Sequence, residues 1–381
     1  MKNICFIAVI LLCGPSAFSA EVAPGTLTVE TDCAAVTLED ETQILGGGAL
    51  GLRYFPGDGF HVLSNASPFR ALMSAEGGSF LVEGSSIKRI TRARKILSPG
   101  KPGSEDNGYI GIAGVYRHRD GTLYGICSVH DCEDLPHFTG GVPGYYSSVA
   151  LVSSRDGITW KKLGRIITSH KPKSYQSYSD QPDRGIAECG IVADRNGKYL
   201  YCYYSEHSRD NGRGVPVCVA RADVSTGAPL PGKWKKYYDG AFSEDALGGN
   251  DTPVISLSSL NDSNAIAPHP VYSASLGKYV MVVCADTWKE YMYGKPAEDA
   301  GVYLCFSDDG LKWSEPTQII CDFVTPFPGK SLVWQPTLVF DKGSSTDGWL
   351  VYGRSQIWGV TNKEGISHYL AGRRIHLEKK R

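Results

Sequence analysis

The sequence predicts an all-β fold, a five-bladed β-propeller of four-stranded antiparallel blades around a central funnel. Three observations carry that expectation. A Ser-x-Asp-Gly-x-x-Trp segment occurs at residues 154–160 and again at 307–313, with a degenerate copy ending at Trp234. Trp160, Trp234 and Trp313 recur at roughly 75 residues, the length of one four-stranded sheet with its loops. Upstream of each lies a pair of strands around a short polar turn: 114–131 around Asp120-Gly121, 189–206 around Asn196-Gly197, and 271–286 around Leu276-Gly277. Asp-Gly and Asn-Gly between apolar runs supply the positive φ angles that tight hairpins need. A fourth unit reads through 335–340, 348–355 and 369–377, and a fifth through 50–54, 60–64, 79–83 and 87–97. Roughly 360 mature residues at roughly 70–75 per unit also make five.

Residues 1–20 combine Lys2, an apolar run over 4–13 and the small-residue site Ala17-Phe18-Ser19, the pattern of a secretory signal peptide. The remaining 21–381 then form one domain, periplasmic or secreted. Leu12 before Cys13 is bulkier than a lipid-attachment signal tolerates. No later apolar run reaches the roughly 18 residues of a membrane span, so no membrane partner is expected. The 39 basic and 40 acidic residues nearly cancel, which argues against nucleic acid and for a neutral or mildly charged partner. Abundant Gly and Tyr with few helical patterns suit short strands and a surface that stacks on sugar rings, so the expected partner is a carbohydrate substrate.

Nine cysteines follow the leader, an odd number. Cys127, Cys202 and Cys284 fall at equivalent places in second strands, and Cys218 and Cys305 in third strands, which reads as small apolar packing. A single disulfide involving Cys127 or Cys132 is the alternative. No pair has zinc spacing and no ligand spacing supports calcium, so no cofactor is expected.

In a propeller, the first strand of each blade lines the funnel, and a charge inside an apolar first strand is the informative residue. Glu188 stands alone in the apolar run 185–192, where burial would raise its pKa toward that of a general acid; a structural pairing with Arg184 is the alternative. Asp106, ahead of the preceding first strand, is the expected base, although Asp106-Asn107-Gly108 also reads as a turn. Asp131 and Glu206 each lie four residues past a repeat-equivalent cysteine, at a shared rim position, and Asp286 is a looser equivalent. Asp251 sits in a Gly-rich loop leading into a short apolar strand, and turn chemistry explains it equally well. His130, His207 and His269 occupy strand ends suited to bonding sugar hydroxyls. Gln335 stands before Pro336 as His269 stands before Pro270. Trp334, Trp288, Trp358, Tyr145, Tyr146 and Tyr175 are candidate sugar platforms. Asp156 and Asp309 recur with the repeat and read as hairpin locks.

The repeated Ser154–Trp160 and Ser307–Trp313 segments, with Glu188-Cys189, resemble the five-bladed propeller glycoside hydrolases of families 43 and 32, and the likeness of blade pattern covers most of the mature chain. In those families, three acidic residues from successive first strands meet in the funnel as base or nucleophile, acid, and orienting group. The resemblance implies a glycosidase acting on an oligo- or polysaccharide, with Glu188 resembling the Glu-Cys acid/base motif of the invertase group and Asp106 a looser counterpart of the first acidic position. The Asn-Asp-Pro-Asn and Arg-Asp-Pro motifs of invertases are missing, which marks a distant relative. The Ser-Asp-Gly-Trp strand also resembles the Asp box of sialidases, which would cast Arg53, Arg184 and Arg354 as a carboxylate-binding triad. A non-catalytic sugar-binding propeller and a polysaccharide lyase with a Tyr or His base also fit the pattern. Carboxyl separation would set the stereochemistry, about 5–5.5 Å for retention and about 6.5–9.5 Å for inversion.

Overall fold

The structure is a computed structural model, and it describes residues 26–46, 48–53, 55–135, 144–176, 183–208, 215–256, 265–285, 300–321, 330–357 and 366–380. It is all-β. Three N-terminal strands, β1 (Leu27–Glu30), β2 (Ala34–Leu38) and β3 (Thr42–Leu45), precede a meander of β4 (Phe60–Ser64), β5 (Phe69–Ala75), β6 (Gly78–Ser86) and β7 (Arg89–Leu97). The second meander is β8 (Tyr109–Arg117), β9 (Leu123–Asp131), β10 (Tyr145–Ser154) and β11 (Lys161–Ile167). The third is β12 (Asp183–Ala193), β13 (Tyr199–Glu206), β14 (Val217–Asp223), β15 (Trp234–Tyr238) and β16 (Ala241–Asp245). The fourth is β17 (Ala265–Ser273), β18 (Lys278–Ala285), β19 (Gly301–Ser307) and β20 (Thr317–Cys321). The last is β21 (Lys330–Phe340), β22 (Asp347–Ile357) and β23 (Ile366–Lys379). Strand pairing is antiparallel except where β10 runs parallel to β12 at Tyr145–Asp183, which joins the second and third meanders into one sheet.

Two details differ from the pattern in the sequence. A strand is expected over residues 50–54, but residues 49–51 form a 3-10 turn, with Leu50 at a φ of 57°. The strand that completes that unit is β5, whose alternate residues Phe69, Ala71, Met73 and Ala75 pack into the core. The last meander also takes its outer strands from the N-terminus: β2 pairs with β23 through Val36–Leu377 and Leu38–Ile375, and β1 pairs with β2. Chain ends far apart in sequence therefore share one sheet.

The hairpin locks behave as expected. Ser154 Oγ donates to Asp156 Oδ1 and accepts from Gly157 N, while Asp156 Oδ1 accepts from Ile158 N and Thr159 N. Ser307, Asp309, Gly310, Leu311 and Lys312 repeat that pattern. The aspartates cap turn amides and stay ionised for that reason. Cys127, Cys202 and Cys284 are fully buried, in the role of small core side chains.

Apolar clusters fill the space between successive meanders. One joins Leu81 and Leu97 to Ile112 and Val129, and another joins Ile126 and Leu151 to Cys189 and Tyr204. A third joins Tyr203 and Val219 to Met281 and Cys305, and a fourth joins Val282 and Leu304 to Leu350 and Val36. A fifth joins Val351 and Leu370 back to Phe60 and Met73. The first strands also touch one another: β4 meets β8 and β21, β12 meets β8 and β17, and β17 meets β21. Glycine permits these approaches. A Cβ on Gly190 would lie 2.1 Å from Pro268 O, and one on Gly114 would lie 2.8 Å from Ile191 Cγ1.

Every first strand carries a register irregularity: Val62/Ser64 in β4, Ile112/Gly114 in β8, Ala187/Cys189 in β12, Ile266/His269 in β17 and Trp334/Thr337 in β21. A bulge re-aims the side chains beside it. In three of the strands a residue at the irregularity takes positive φ, Glu188 at 36°, Ala267 at 55° and Gln335 at 50°.

Leu38 is fully buried in the cluster between the fourth and last meanders. Leu38→Ala is expected to cost about 2–5 kcal/mol in urea unfolding. Leu27→Ala, at an exposed position of β1, should stay within about 0.5 kcal/mol.

Candidate functional site

Asp58 and Glu188 come together from different meanders. Asp58 stands two residues before β4, with only 7 % of its surface exposed. Its Oδ2 accepts a hydrogen bond from Tyr109 Oη at 2.6 Å, and its backbone N–H donates to Ser74 Oγ at 2.6 Å. Glycines make the slot. A Cβ on Gly111 would lie 1.9 Å from Asp58 Oδ2, and one on Gly57 would lie 2.2 Å from Tyr109 Oη. Any larger residue at either position would displace the pair.

Glu188 sits at the β12 bulge, and its Oε2 lies 2.9 Å from Nε2 of the buried His207. His207 is fixed in turn by its backbone N–H, which donates to Gly185 O at 2.8 Å. Burial pushes the Asp58 pKa up to about 8; the Tyr109 hydrogen bond opposes the rise, and the charge of Glu188 adds to it. The Asp58 carboxyl therefore keeps its proton near pH 7. Tyr109 itself is pushed well above its ordinary pKa, by burial first and by Asp58 second, so it remains a donor.

An aromatic wall continues from this pair. The His130 ring lies 4.8 Å from Tyr109 and stacks on Tyr145 at 4.3 Å with an interplanar angle of 11°. His61 of β4 and His269 of β17 interact electrostatically across the first strands. Burial lowers them to about 4 and about 3, with the His61 charge a second cause for His269. Both are neutral near pH 7, and His269 Nδ1 accepts from Leu338 N at 3.3 Å. Gln335 is buried one bulge further on.

Several candidates from the sequence lie elsewhere. Asp106, the expected base, is held by Lys162 of the outer strand β11. Asp251 lies 3.3 Å from the fully buried Lys236 Nζ and accepts from Tyr204 Oη and Cys218 Sγ, inside the third meander. Asp131 accepts from Lys173 Nζ at 2.9 Å and Asn107 Nδ2 at 2.8 Å. Burial would raise Asp131, but those two bonds, a third from Glu133 N and the Lys173 charge together outweigh it and hold the carboxyl below its usual range. Glu206 is buried and accepts from Ser169 Oγ and Ser208 N. Arg354 donates to Glu41 Oε2 at 2.6 Å, and the Trp334 ring lies against Gly353. Asp286, Trp288 and Trp358 lie outside the described residues.

Asp58 escapes sequence reasoning because Pro56-Gly57-Asp58-Gly59 reads as a turn. Its place just ahead of the apolar strand at 60–64 is the one local signal. Among the described residues no cluster of three or more His, Cys, Asp or Glu could hold a metal ion.

No family model matches the chain, and no curated protein matches it. Solved structures do. An alpha-L-arabinofuranosidase from Lactobacillus brevis is 12% identical, with 82% of this chain and 89% of that one covered at a TM-score of 0.50. A thermostable family-43 glycoside hydrolase is 13% identical, covering 86% and 92% at 0.48. An endo-1,5-alpha-L-arabinanase from Thermotoga petrophila is 13% identical, covering 84% and 70% at 0.48. The likeness is one of fold.

Asp251→Ala strands the Lys236 ammonium in the core and is expected to cost about 3–5 kcal/mol in urea unfolding. Asp58→Asn should act through pH instead. Because the fold raises the pKa of Asp58 from 3.8 to about 8, its proton favours the native state at low pH, and that contribution disappears as pH rises through about 8. Asp58→Asn should therefore flatten the decline in unfolding free energy between about pH 4 and about pH 8 by on the order of a few kcal/mol.

Proposed function

We propose that the chain is a glycoside hydrolase whose five meanders close as a five-bladed propeller, with Asp58 and Glu188 facing its central funnel. The observation that carries this reading is the meeting of two carboxyls from two different first-strand segments, one enclosed and proton-retaining, the other on a bulge beside an imidazole. Glycosidic cleavage needs such a pair, one carboxyl to protonate the leaving oxygen and the other to attack the anomeric carbon or activate water. Asp58, enclosed and holding its proton up to about pH 8, delivers the proton, and Glu188, whose side chain is 19 % exposed, attacks the anomeric carbon or activates water, the reverse of the acid role expected for Glu188 from the sequence. The active form carries its proton on Asp58. Tyr109 orients Asp58, and the Tyr145–His130 stack offers a flat face beside it for a sugar ring. The leader pattern at residues 1–20 adds export to this proposal, with an external oligo- or polysaccharide as substrate.

The test is a panel of aryl glycosides and polysaccharides, beginning with α-L-arabinofuranosides, because an arabinofuranosidase has a similar fold. Asp58→Asn and Glu188→Gln are each expected to lower kcat by about 10²–10⁴-fold, while Asp106→Asn stays within a few fold. Wild-type kcat/KM should fall above about pH 8, where Asp58 gives up its proton. A wild-type protein that binds sugars without cleaving any, with binding unchanged in Glu188→Gln, would instead mark a non-catalytic sugar-binding domain.

A further inference from the structure

The near-zero overall charge conceals a segregated one. Residues 84–104 carry six of the 39 basic residues and none of the 40 acidic ones, which leaves 33 against 40 elsewhere. Five of the six, Lys88, Arg89, Arg92, Arg94 and Lys95, lie on or beside β7, the edge strand of the first meander, and all five are exposed. Among the described residues none of the five forms an ion pair. The Lys88 ammonium lies over the Trp349 ring at 5.0 Å and that of Lys95 over the Phe80 ring at 5.4 Å, contacts that hold both charges at the surface without neutralising them.

Charged side chains also protect sheet edges from pairing with other chains, and that need alone is met by either sign. The other outer strands show what it looks like. On β11, Lys162 pairs with Asp106 and Arg165 with Glu105, and on β15, Lys235 pairs with Asp245. The outermost strand β16 ends in Glu244 and Asp245. On β7, by contrast, the cations are concentrated without carboxylates to neutralise them among the described residues. Glu83 of β6 stands opposite Arg92 in the register, but its ion pair is with Arg70 at 2.9 Å.

We infer that this edge binds an extended polyanionic glycan bearing carboxylate or sulfate groups. Arg92 and Arg94 line an open groove that also takes in Thr91, Leu50, Ile158 and the Arg70–Glu83 ion pair, whose charges cancel and leave the two β7 guanidinium groups as its net charge. Alternate residues of a strand stand about 6.6–6.8 Å apart, so the guanidinium groups form a row within one Debye length of each other and act as a unit. Arginine forks match carboxylate and sulfate oxygens two at a time. Leu50, 41% exposed, and Ile158 give the groove apolar spots against which the carbon face of a sugar ring can lie. Its lining residues include no aromatic ring for stacking bases and no broad apolar face of the kind a membrane surface would engage. The choice of a glycan rests on the glycoside hydrolase reading; the choice of a polyanion rests on β7 alone.

The experiment measures binding of the full chain, in a Glu188→Gln background that removes turnover, to polygalacturonate and to neutral arabinan at low and at roughly tenfold higher NaCl. Polygalacturonate should bind and weaken steeply with salt, and arabinan should show no salt dependence. Arg89→Thr, Arg92→Thr and Arg94→Thr together should weaken polygalacturonate binding by about tenfold or more. Lys161→Thr, Lys233→Thr and Lys312→Thr together remove equal charge from exposed positions elsewhere and should leave it unchanged, with thermal melts reporting that both variants fold. Equal loss in the two triple variants, salt-insensitive binding, or preference for a DNA duplex or phosphatidylglycerol vesicles would overturn the inference. Patch-dependent binding by a wild-type protein that cleaves no glycoside would sink the enzymatic reading and leave this surface standing. Glycosidase activity without patch-dependent binding would do the reverse.

Discussion

Close approach of the first strands is the constraint on which the rest depends. Gly114 against Ile191 and Gly190 against Pro268 bring β8, β12 and β17 together, while Gly57 and Gly111 leave only enough room for Tyr109 and the Asp58 carboxyl. That crowding removes water from Asp58 and raises its proton affinity; a carboxyl on an open strand edge would ionise at its ordinary pKa. The bulge that turns Glu188 out of the β12 ladder belongs to the same packing, since an unbroken ladder would pair the residue instead of presenting it to His207. Site chemistry and strand packing are thus one problem.

The repeat is legible in the sequence because its signals are local. Ser154 and Asp156 satisfy amides two or three residues away, and the same spacing at Ser307 and Asp309 gives the same hydrogen bonds. Glu188 is legible as a lone charge in an apolar strand. Asp106 and Asp251 show the limit, because each has a counter-ion that only the fold supplies: Lys162 lies 56 residues from the first, and Lys236 is buried against the second. Asp58 shows the opposite limit. Flanked by glycines, it looks like any surface turn, and its burial comes from Tyr109, 51 residues further along. The N-terminal strands that pair with β23 are hidden for the same reason, since no nearby residue announces a partner in the last strand of the chain.

Charge obeys the same limit. A balance of 39 to 40 excludes a strongly basic protein and says nothing about where the charges lie. Lys162 and Arg165 of β11 and Lys235 and Lys236 of β15 are paired with carboxylates within the fold, so they serve stability, whereas on β7 the cations face solvent as a row. Net charge governs solubility and long-range steering; binding answers to the local excess.

Asp58 keeps its proton because it is enclosed and because Glu188 stands close enough to oppose its ionisation. Titration of the Asp58 carboxyl carbon by NMR, in wild type and in Glu188→Gln, tests this directly. The expected midpoint lies near 8 and drops when Glu188 loses its charge. A midpoint near 3.8, unmoved by that substitution, would contradict it.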